Sequence, residues 1–192
     1  MSKIVLWSGG MDSTLIIDQM ITDNPNETVT AVSIVSDTVG KVRLDMEKQV
    51  KKEYLKKFGK RIDYREIKVD SQMGARTWQM PIWLCHVAPY INDNDEINLG
   101  YLSSDGYDFW NSKEKLVKAF NSLMDLQMKK AQINFPLQYW TKGDVIKDLK
   151  KRKIYGLTWY CGMPKKGKPC GKCMKCISVK RWSKYPDSGV YV

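Results

Sequence analysis

Lys3-Ile4-Val5-Leu6-Trp7-Ser8-Gly9-Gly10-Met11-Asp12-Ser13 opens the chain with an apolar run, a glycine pair and the start of a stretch carrying Leu15, Ile16 and Ile17 at helix-compatible spacing. That order reads as strand, loop, helix. Adjacent glycines let the backbone turn tightly with its amides exposed, and a helix N-terminus adds the positive end of its dipole. Together they make an anion nest suited to phosphate. The loop has neither the Gly-x-x-x-x-Gly-Lys spacing of a Walker loop nor the three-glycine dinucleotide pattern, so γ-phosphate transfer and hydride chemistry are not indicated. The plainer alternative is an ordinary turn in which Asp12 or Ser13 caps the helix.

Downstream the alternation continues. Residues 28–35 are β-branched and read as a second strand, and residues 45–58 set Met46, Val50, Tyr54 and Phe58 four apart on one helix face. Residues 61–69 alternate like a strand, 82–90 read as a helix, and 96–102 as a strand ending in Ser103-Ser104-Asp105-Gly106. A long helix over 112–128 aligns Leu116, Phe120, Leu123 and Met124. A short strand at 133–137 and a basic helix at 143–152 follow. Strands alternating with helices predict an α/β fold, an open parallel sheet covered on both faces, with ligands at the carboxyl ends of the strands after Trp7, Val35 and Leu102. Residues 70–80 read as an irregular insertion over that pocket.

A chain of 192 residues has room for one domain with a small appendage, and 43% hydrophobic with 28% charged residues is the composition of a globular protein. No stretch reaches the ~20 apolar residues of a membrane span, and the N-terminal run breaks too early for a signal-peptide core, so a soluble, cytoplasmic protein without a membrane partner is expected. The net charge of +11 favours anionic partners without choosing among them. Much of it lies in runs at 48–60 and 147–153 that read as solvated helix faces rather than an RNA track.

Four of the five cysteines crowd the end of the chain as Cys161, Cys170, Cys173 and Cys176. Nothing here exports the chain, so these thiols read as metal ligands rather than disulfides. Four thiolates close a tetrahedral zinc shell, and the compact spacing favours zinc over an iron-sulfur cluster. Gly162, Gly167 and Gly171 give the chain freedom to wrap the ion. The expected division is 1–155 for a nucleotide-binding α/β unit and 156–192 for a zinc-binding segment packed on it. Cys85 and His86 read as packing residues.

Ser-Gly-Gly-x-Asp-Ser directly after an N-terminal strand resembles the pyrophosphate loop of the N-type ATP pyrophosphatases, which split ATP between the α and β phosphates and adenylate an acceptor oxygen. With the C-terminal Cys-x8-Cys-x2-Cys-x2-Cys, the chain resembles the 7-cyano-7-deazaguanine synthase (QueC-like) family over nearly its whole length. Gly100 with Asp105 is similar to that family's glycine-led acidic loop, Phe135-Pro136-Leu137 with Lys142 to its Thr-Pro-Leu and downstream lysine, and Glu47 to its helix glutamate. The resemblance implies a Rossmann-like PP-loop fold and an ATP-dependent carbon-nitrogen ligase. It implies ATP, magnesium and zinc, with the deazapurine carboxylate and ammonia as small-molecule substrates and no stable nucleic-acid complex. It implies a nucleotide site of Leu6, Trp7, Ser8, Gly9, Gly10, Met11, Asp12, Ser13, Thr14 and Ile34, and catalytic roles for Asp12, Ser13, Asp105 and Lys142. A homodimer is suggested by the resemblance alone.

The chain departs from that family where the substrate pocket would be. Ile34-Val35-Ser36-Asp37-Thr38 replaces Phe-Asp-Tyr-Gly-Gln, the segment at Gln79-Met80-Pro81 replaces Pro-Gly-Arg-Asn, and Ser103-Ser104-Asp105 replaces Glu-Thr-Asp. Nucleotide and zinc binding therefore transfer more readily than the acceptor. A PP-loop enzyme acting on a tRNA base or another acceptor, and a zinc-stabilised nucleotide-binding module with a decayed pocket, are the alternatives.

Overall fold

The computed structural model describes residues 2–36, 41–69, 79–105 and 107–185. β1 (Lys3–Leu6) is the middle of a five-stranded sheet. It pairs in parallel with β2 (Val29–Ser36) on one side and β4 (Asp95–Asn98) on the other. β3 (Ile62–Val69) extends the sheet beyond β2, and β5 (Ala131–Asn134) beyond β4, giving the order β3-β2-β1-β4-β5 with every pairing parallel. The chain winds outward through β2 and β3, then returns to the centre and winds the other way. The carboxyl ends of β1 and β4 are thus the switch point where such sheets open a crevice.

Both faces are covered, so the central strands are apolar on both sides. Val5, Val29 and Ala31 face a core built with α1 (Met11–Asp23), α2 (Lys41–Phe58), α5 (Lys142–Lys151) and α6 (Met174–Lys184). Ile4, Val32 and Ile97 face the opposite core, with α3 (Gln79–Val87) and α4 (Tyr107–Leu126). The period-2 alternation of a strand separates the two sets.

α1 is buried nearly all round: Leu15, Ile16 and Ile17 are fully inside, and so are the polar Thr14 and Asp18. Each polar group has a partner, as burial requires. Trp7 Nε1 donates to Thr14 Oγ1 at 2.9 Å. Asp18 accepts from the Tyr54 hydroxyl and from Arg152 Nη1, both at 3.0 Å, so three helices meet on one carboxylate. Burial, then the Asp18 charge, raises the Tyr54 pKa far above its ordinary value, so the phenol stays a donor.

Several element boundaries differ from expectation. The strand expected over 96–102 ends at Asn98, because the chain leaves the sheet for the close approach of Gly100 to α1. The strand expected at 133–137 is Ala131–Asn134, with Pro136, which has no amide to donate, beyond its end. The helix expected to reach residue 90 is α3 followed by a 3-10 turn over Ala88–Tyr90, where Pro89 ends regular helix bonding. α4 stops at Leu126, ahead of Met128 with φ +53°. Cys85 and His86, expected in the core, are exposed on α3. Of the expected insertion at 70–80, residues 70–78 lie outside the described residues, as do Asp37 and Thr38, while Gln79 and Met80 begin α3.

Candidate active site

The loop that leaves β1 is shaped by its glycines. Gly9 has φ +78°, and a Cβ there would lie 3.2 Å from the Glu47 carbonyl and 3.3 Å from Lys51 Cγ, so α2 closes the space a side chain would need. Gly10 is the N-cap of α1, in extended conformation, and no side chain caps the helix. The expected alternative, a cap by Asp12 or Ser13, is therefore not what the chain does. Ser8 Oγ instead accepts from the Gly10 amide at 3.1 Å and lies 3.3 Å from Ser13 Oγ. The first-turn amides of α1, which have no intrahelical acceptor, keep their capacity for an anion. Gly100 presses against this turn: a Cβ on it would fall 3.1 Å from the Ser13 amide nitrogen and 3.2 Å from Asp12 Cβ.

Asp12 receives Lys142 Nζ on both oxygens, at 2.7 and 2.6 Å. Lys142 is delivered by a capping box: Thr141 Oγ1 accepts from the Asp144 amide at 3.2 Å, and Asp144 Oδ2 accepts from the Thr141 amide at 2.7 Å. Lys142 is thereby the first residue of α5. Asp105 joins from the loop after β4. Its Oδ2 accepts from the Leu102 amide at 2.7 Å, and Ser103 donates to the Trp140 carbonyl through its backbone amide, 3.0 Å, and its hydroxyl, 2.8 Å. Asp105 is ringed by protein but open to the cavity. Desolvation, then the Asp12 charge, pushes its carboxyl up to about 6 against the Leu102 amide and Lys142.

These groups line one side of a cavity of about 780 Å³. Ser8, Gly10, Met11, Asp12, Gly100, Asp105 and Lys142 form that side, and Tyr101, Trp159, Tyr160, Met174, Lys175, Ile177, Arg181 and Trp182 much of the rest. The Trp159 and Tyr160 rings stack at 6.4 Å between centroids. The size and the mix of aromatic surface with a few convergent charges are those of a small-molecule site. A shallower depression of about 410 Å³ along α5 is lined by Tyr139, Trp140, Asp144, Lys147, Asp148 and Lys151, away from the loop after β1. Leu6, Trp7, Gly9, Ser13, Thr14 and Ile34, expected to bind nucleotide, are not among the lining residues. Trp7 and Thr14 are buried behind the loop, and Ile34 packs in the second core. Sequence reading missed the α6 side altogether. Its signal was Trp159-Tyr160 before the first cysteine and the apolar positions Val179 and Trp182 after the last.

Beside the cavity, Cys161, Cys170, Cys173 and Cys176 bring four sulfurs within 4.8 Å of one another. Cys161 and Cys176 are buried, and the pairs Cys161–Cys173 and Cys170–Cys176 stand 3.9 Å apart. Backbone amides donate to them: Cys170 to Cys161 Sγ and Cys173 to Cys170 Sγ, each at 3.3 Å. Burial works against ionisation of Cys173, but the Cys176 and Gly162 amides outweigh it and hold its thiol down to about 6. Burial pushes the Cys176 thiol up to about 12. Gly167 and Gly171, each with φ +72°, supply two of the turns; Gly162 has no positive φ. The donor set fits a thiophilic metal, and sulfurs this close repel one another as thiolates without one. A small core of Val50, Trp159, Cys161 and Cys176 fixes the knuckle against α2.

The parallel sheet, phosphate loop and four-cysteine knuckle define a PP-loop-type α/β protein. The fold is similar to that of the U34-tRNA thiolase NcsA from Methanococcus maripaludis with its [4Fe-4S] cluster, at a TM-score of 0.51 and 11% identity, over 80% of this chain and 57% of that one. Residues 83–185 match the family model described as Queuosine biosynthesis protein QueC, and the chain belongs to that family. Among its relatives, the 7-cyano-7-deazaguanine synthase of Leptospira interrogans serovar Lai is 25% identical over 97% of this chain and 87% of its own length. The Picrophilus torridus enzyme of that name is 51% identical over 47 residues, 24% of this chain and 19% of that protein. The Prochlorococcus marinus strain MIT 9312 enzyme is 32% identical over 47% of this chain and 45% of its own length. Among the described residues no helix is long and apolar enough to cross a membrane.

Proposed function

We propose that the chain uses ATP to activate the carboxylate of a 7-deazapurine and transfer it to ammonia, ending in the nitrile 7-cyano-7-deazaguanine. The observation that carries this reading is the convergence on one cavity of an uncapped helix N-terminus, the Asp12–Lys142 pair and an aromatic wall. In the proposed division, residues 1–155 bind the nucleotide and 156–192 hold the metal.

The first-turn amides of α1, that of Ser13 among them, hold the β and γ phosphates with the Ser8 hydroxyl, and magnesium accompanies them. A carboxylate oxygen of the acceptor attacks the α-phosphorus, the α–β anhydride bond breaks, and pyrophosphate leaves with the bonding pair. Ammonia then attacks the acyl carbon, AMP departs, and a proton passes to solvent or to Asp105, giving the amide. A second adenylation, on the amide oxygen, lets loss of AMP and two protons form the nitrile. Asp105, titrating near 6, orients ammonia once ionised. Lys142 holds Asp12 in place and adds positive charge beside the leaving group.

The four sulfurs are assigned to zinc. A tetrahedron of ~2.3 Å bonds has edges of about 3.8 Å, and two of the sulfur pairs stand 3.9 Å apart. An iron-sulfur cluster distributes its cysteines over separate irons, farther apart. When bound, zinc supplies structure, closing the knuckle against α2.

The test is magnesium-dependent release of pyrophosphate and AMP, with mass spectrometry of products, from metal-loaded protein given 7-carboxy-7-deazaguanine and ammonium. Amide or nitrile formation that Asp12→Ala abolishes establishes the reading. AMP release that requires tRNA in place of the deazapurine overturns it in favour of an RNA acceptor, and binding of ATP without turnover leaves a binding module.

A further inference from the structure

Among the described residues, three cations line the cavity: Lys142, Lys175 and Arg181. They do not have equal freedom. Lys142 is held on both oxygens of Asp12, and Asp105 adds a second carboxylate nearby, so the charge it brings to the loop side is already outnumbered by carboxylates and a polyanion there calls for a further cation. Lys175 makes no ion pair among the described residues, and the charges that act on it are Arg43, Glu47, Lys142 and Asp12. It lines the same cavity as Ser8, Gly10 and Asp12 of the phosphate loop. Lys175 lies between Cys173 and Cys176 in the first turn of α6, so the cysteine knuckle fixes its place on the cavity wall. Lys180, on the same helix, does not line the cavity.

We propose that Lys175 binds the β- and γ-phosphate oxygens of the nucleotide and retains the departing pyrophosphate, from the α6 side of the cavity. This rests on the reading of the cavity as an ATP site and adds to it. The metal knuckle then does more than brace the fold: it positions the cation that faces the anion nest. A lysine ammonium is a mobile point charge able to follow phosphate oxygens as charge builds on them. Truncating it removes a charge-assisted hydrogen bond and leaves the adenosine end of the ligand untouched.

The experiment titrates magnesium pyrophosphate, magnesium ATP and adenosine separately into metal-loaded protein, following tryptophan fluorescence. The proteins are wild type, Lys175→Gln, Lys175→Met, Lys175→Arg and Lys180→Gln, each checked for metal content and unfolding temperature. The expected result is that Gln and Met weaken pyrophosphate and ATP about tenfold. Adenosine affinity should be unchanged, Arg should restore most of the loss, and Lys180→Gln should match wild type. Equal pyrophosphate affinity in wild type and a folded, metal-loaded Gln or Met variant overturns the role of Lys175 while leaving the ATP site standing. So does a parallel loss of adenosine affinity. If wild type binds neither pyrophosphate nor ATP, the nucleotide reading fails and this role with it.

Discussion

The backbone amide of Trp159 donates to the carbonyl of Gly9 at 2.8 Å, while its indole nitrogen donates to the carbonyl of Cys161 at 2.9 Å. One residue thus joins the phosphate loop to the first cysteine of the metal knuckle. Stripping the metal with a strong chelator, or Cys161→Ser, should free this tether. We expect a loss of about 3 kcal/mol or more, a fall of roughly 6–12 °C in Tm, and ATP affinity that declines in step with metal content. Parallel metal analysis and nucleotide titration check this; undiminished ATP binding by metal-free protein would contradict it.

Asp12 and Lys142 act as a unit, so their substitutions should not add. Asp12→Asn and Lys142→Ala are each expected to cut pyrophosphate release about a hundredfold, and the double variant to be little worse than either. Each single substitution should also cost about 1–3 kcal/mol of stability, since the two side chains are only 18% and 23% exposed and the remaining partner is left unpaired. A thermodynamic cycle built from the four proteins measures the coupling.

Gly100→Ala tests the contact with α1. The added methyl meets backbone and Cβ atoms at 3.1 and 3.2 Å rather than a flexible side-chain end, so the acidic loop or the helix start must move. A cost of about 1–3 kcal/mol is expected. Activity should fall more steeply than stability, because the displaced atoms belong to Asp12 and Ser13. Urea unfolding beside initial rates separates the two.

Asp18→Ala should behave oppositely. It leaves the Tyr54 hydroxyl and Arg152 without their shared acceptor at a site 5% exposed. We expect destabilisation of about 2–3 kcal/mol with ATP affinity within about twofold of wild type at low temperature. Calorimetry and binding on the same preparation check both halves.

Asp105 gives the site a pH dependence. Its carboxyl titrates near 6 in the folded protein against an ordinary 3.8, so the native state holds this proton more tightly than the unfolded chain does. Stability from Asp105 is therefore present below about 4, falls as pH rises towards about 6, and stays lost above. Asp105→Asn should be more stable relative to wild type at pH 7.5 than at pH 4.5. If ionised Asp105 orients ammonia, wild-type amide formation should also rise through pH 6, and that limb should vanish in the variant. A rate profile that keeps it assigns the titration elsewhere.

The parallel α/β order was legible because each central strand is a short β-branched or apolar run and each long helix has a continuous stripe, as with Val50 and Tyr54 on α2. The four cysteines were legible from spacing alone, and their sulfurs do converge. α6 was not: its first three residues, Met174-Lys175-Cys176, belong to the knuckle, and Lys180, Arg181 and Lys184 interrupt the stripe that Val179 and Trp182 begin. The Asp18 network was equally hidden, since an acid within Leu15-Ile16-Ile17-Asp18 looks solvent-facing until Tyr54 and Arg152 arrive from distant segments. The family resemblance implies a nucleotide contact at Trp7. Strand geometry turns it the other way, onto Tyr54 and Tyr64.

Asp12 and Lys142 are 130 residues apart in sequence, and the far side of their cavity is supplied by α6. A ribosome delivers the N-terminal end first. The phosphate loop therefore leaves the exit tunnel long before the lysine that holds its aspartate, and the last helix of the described chain is also the last wall of the cavity. A nascent chain carries an anion nest without a room around it. A ligand that needs both walls, and with it the stabilisation a bound ligand lends the fold, becomes available only after α6 has emerged.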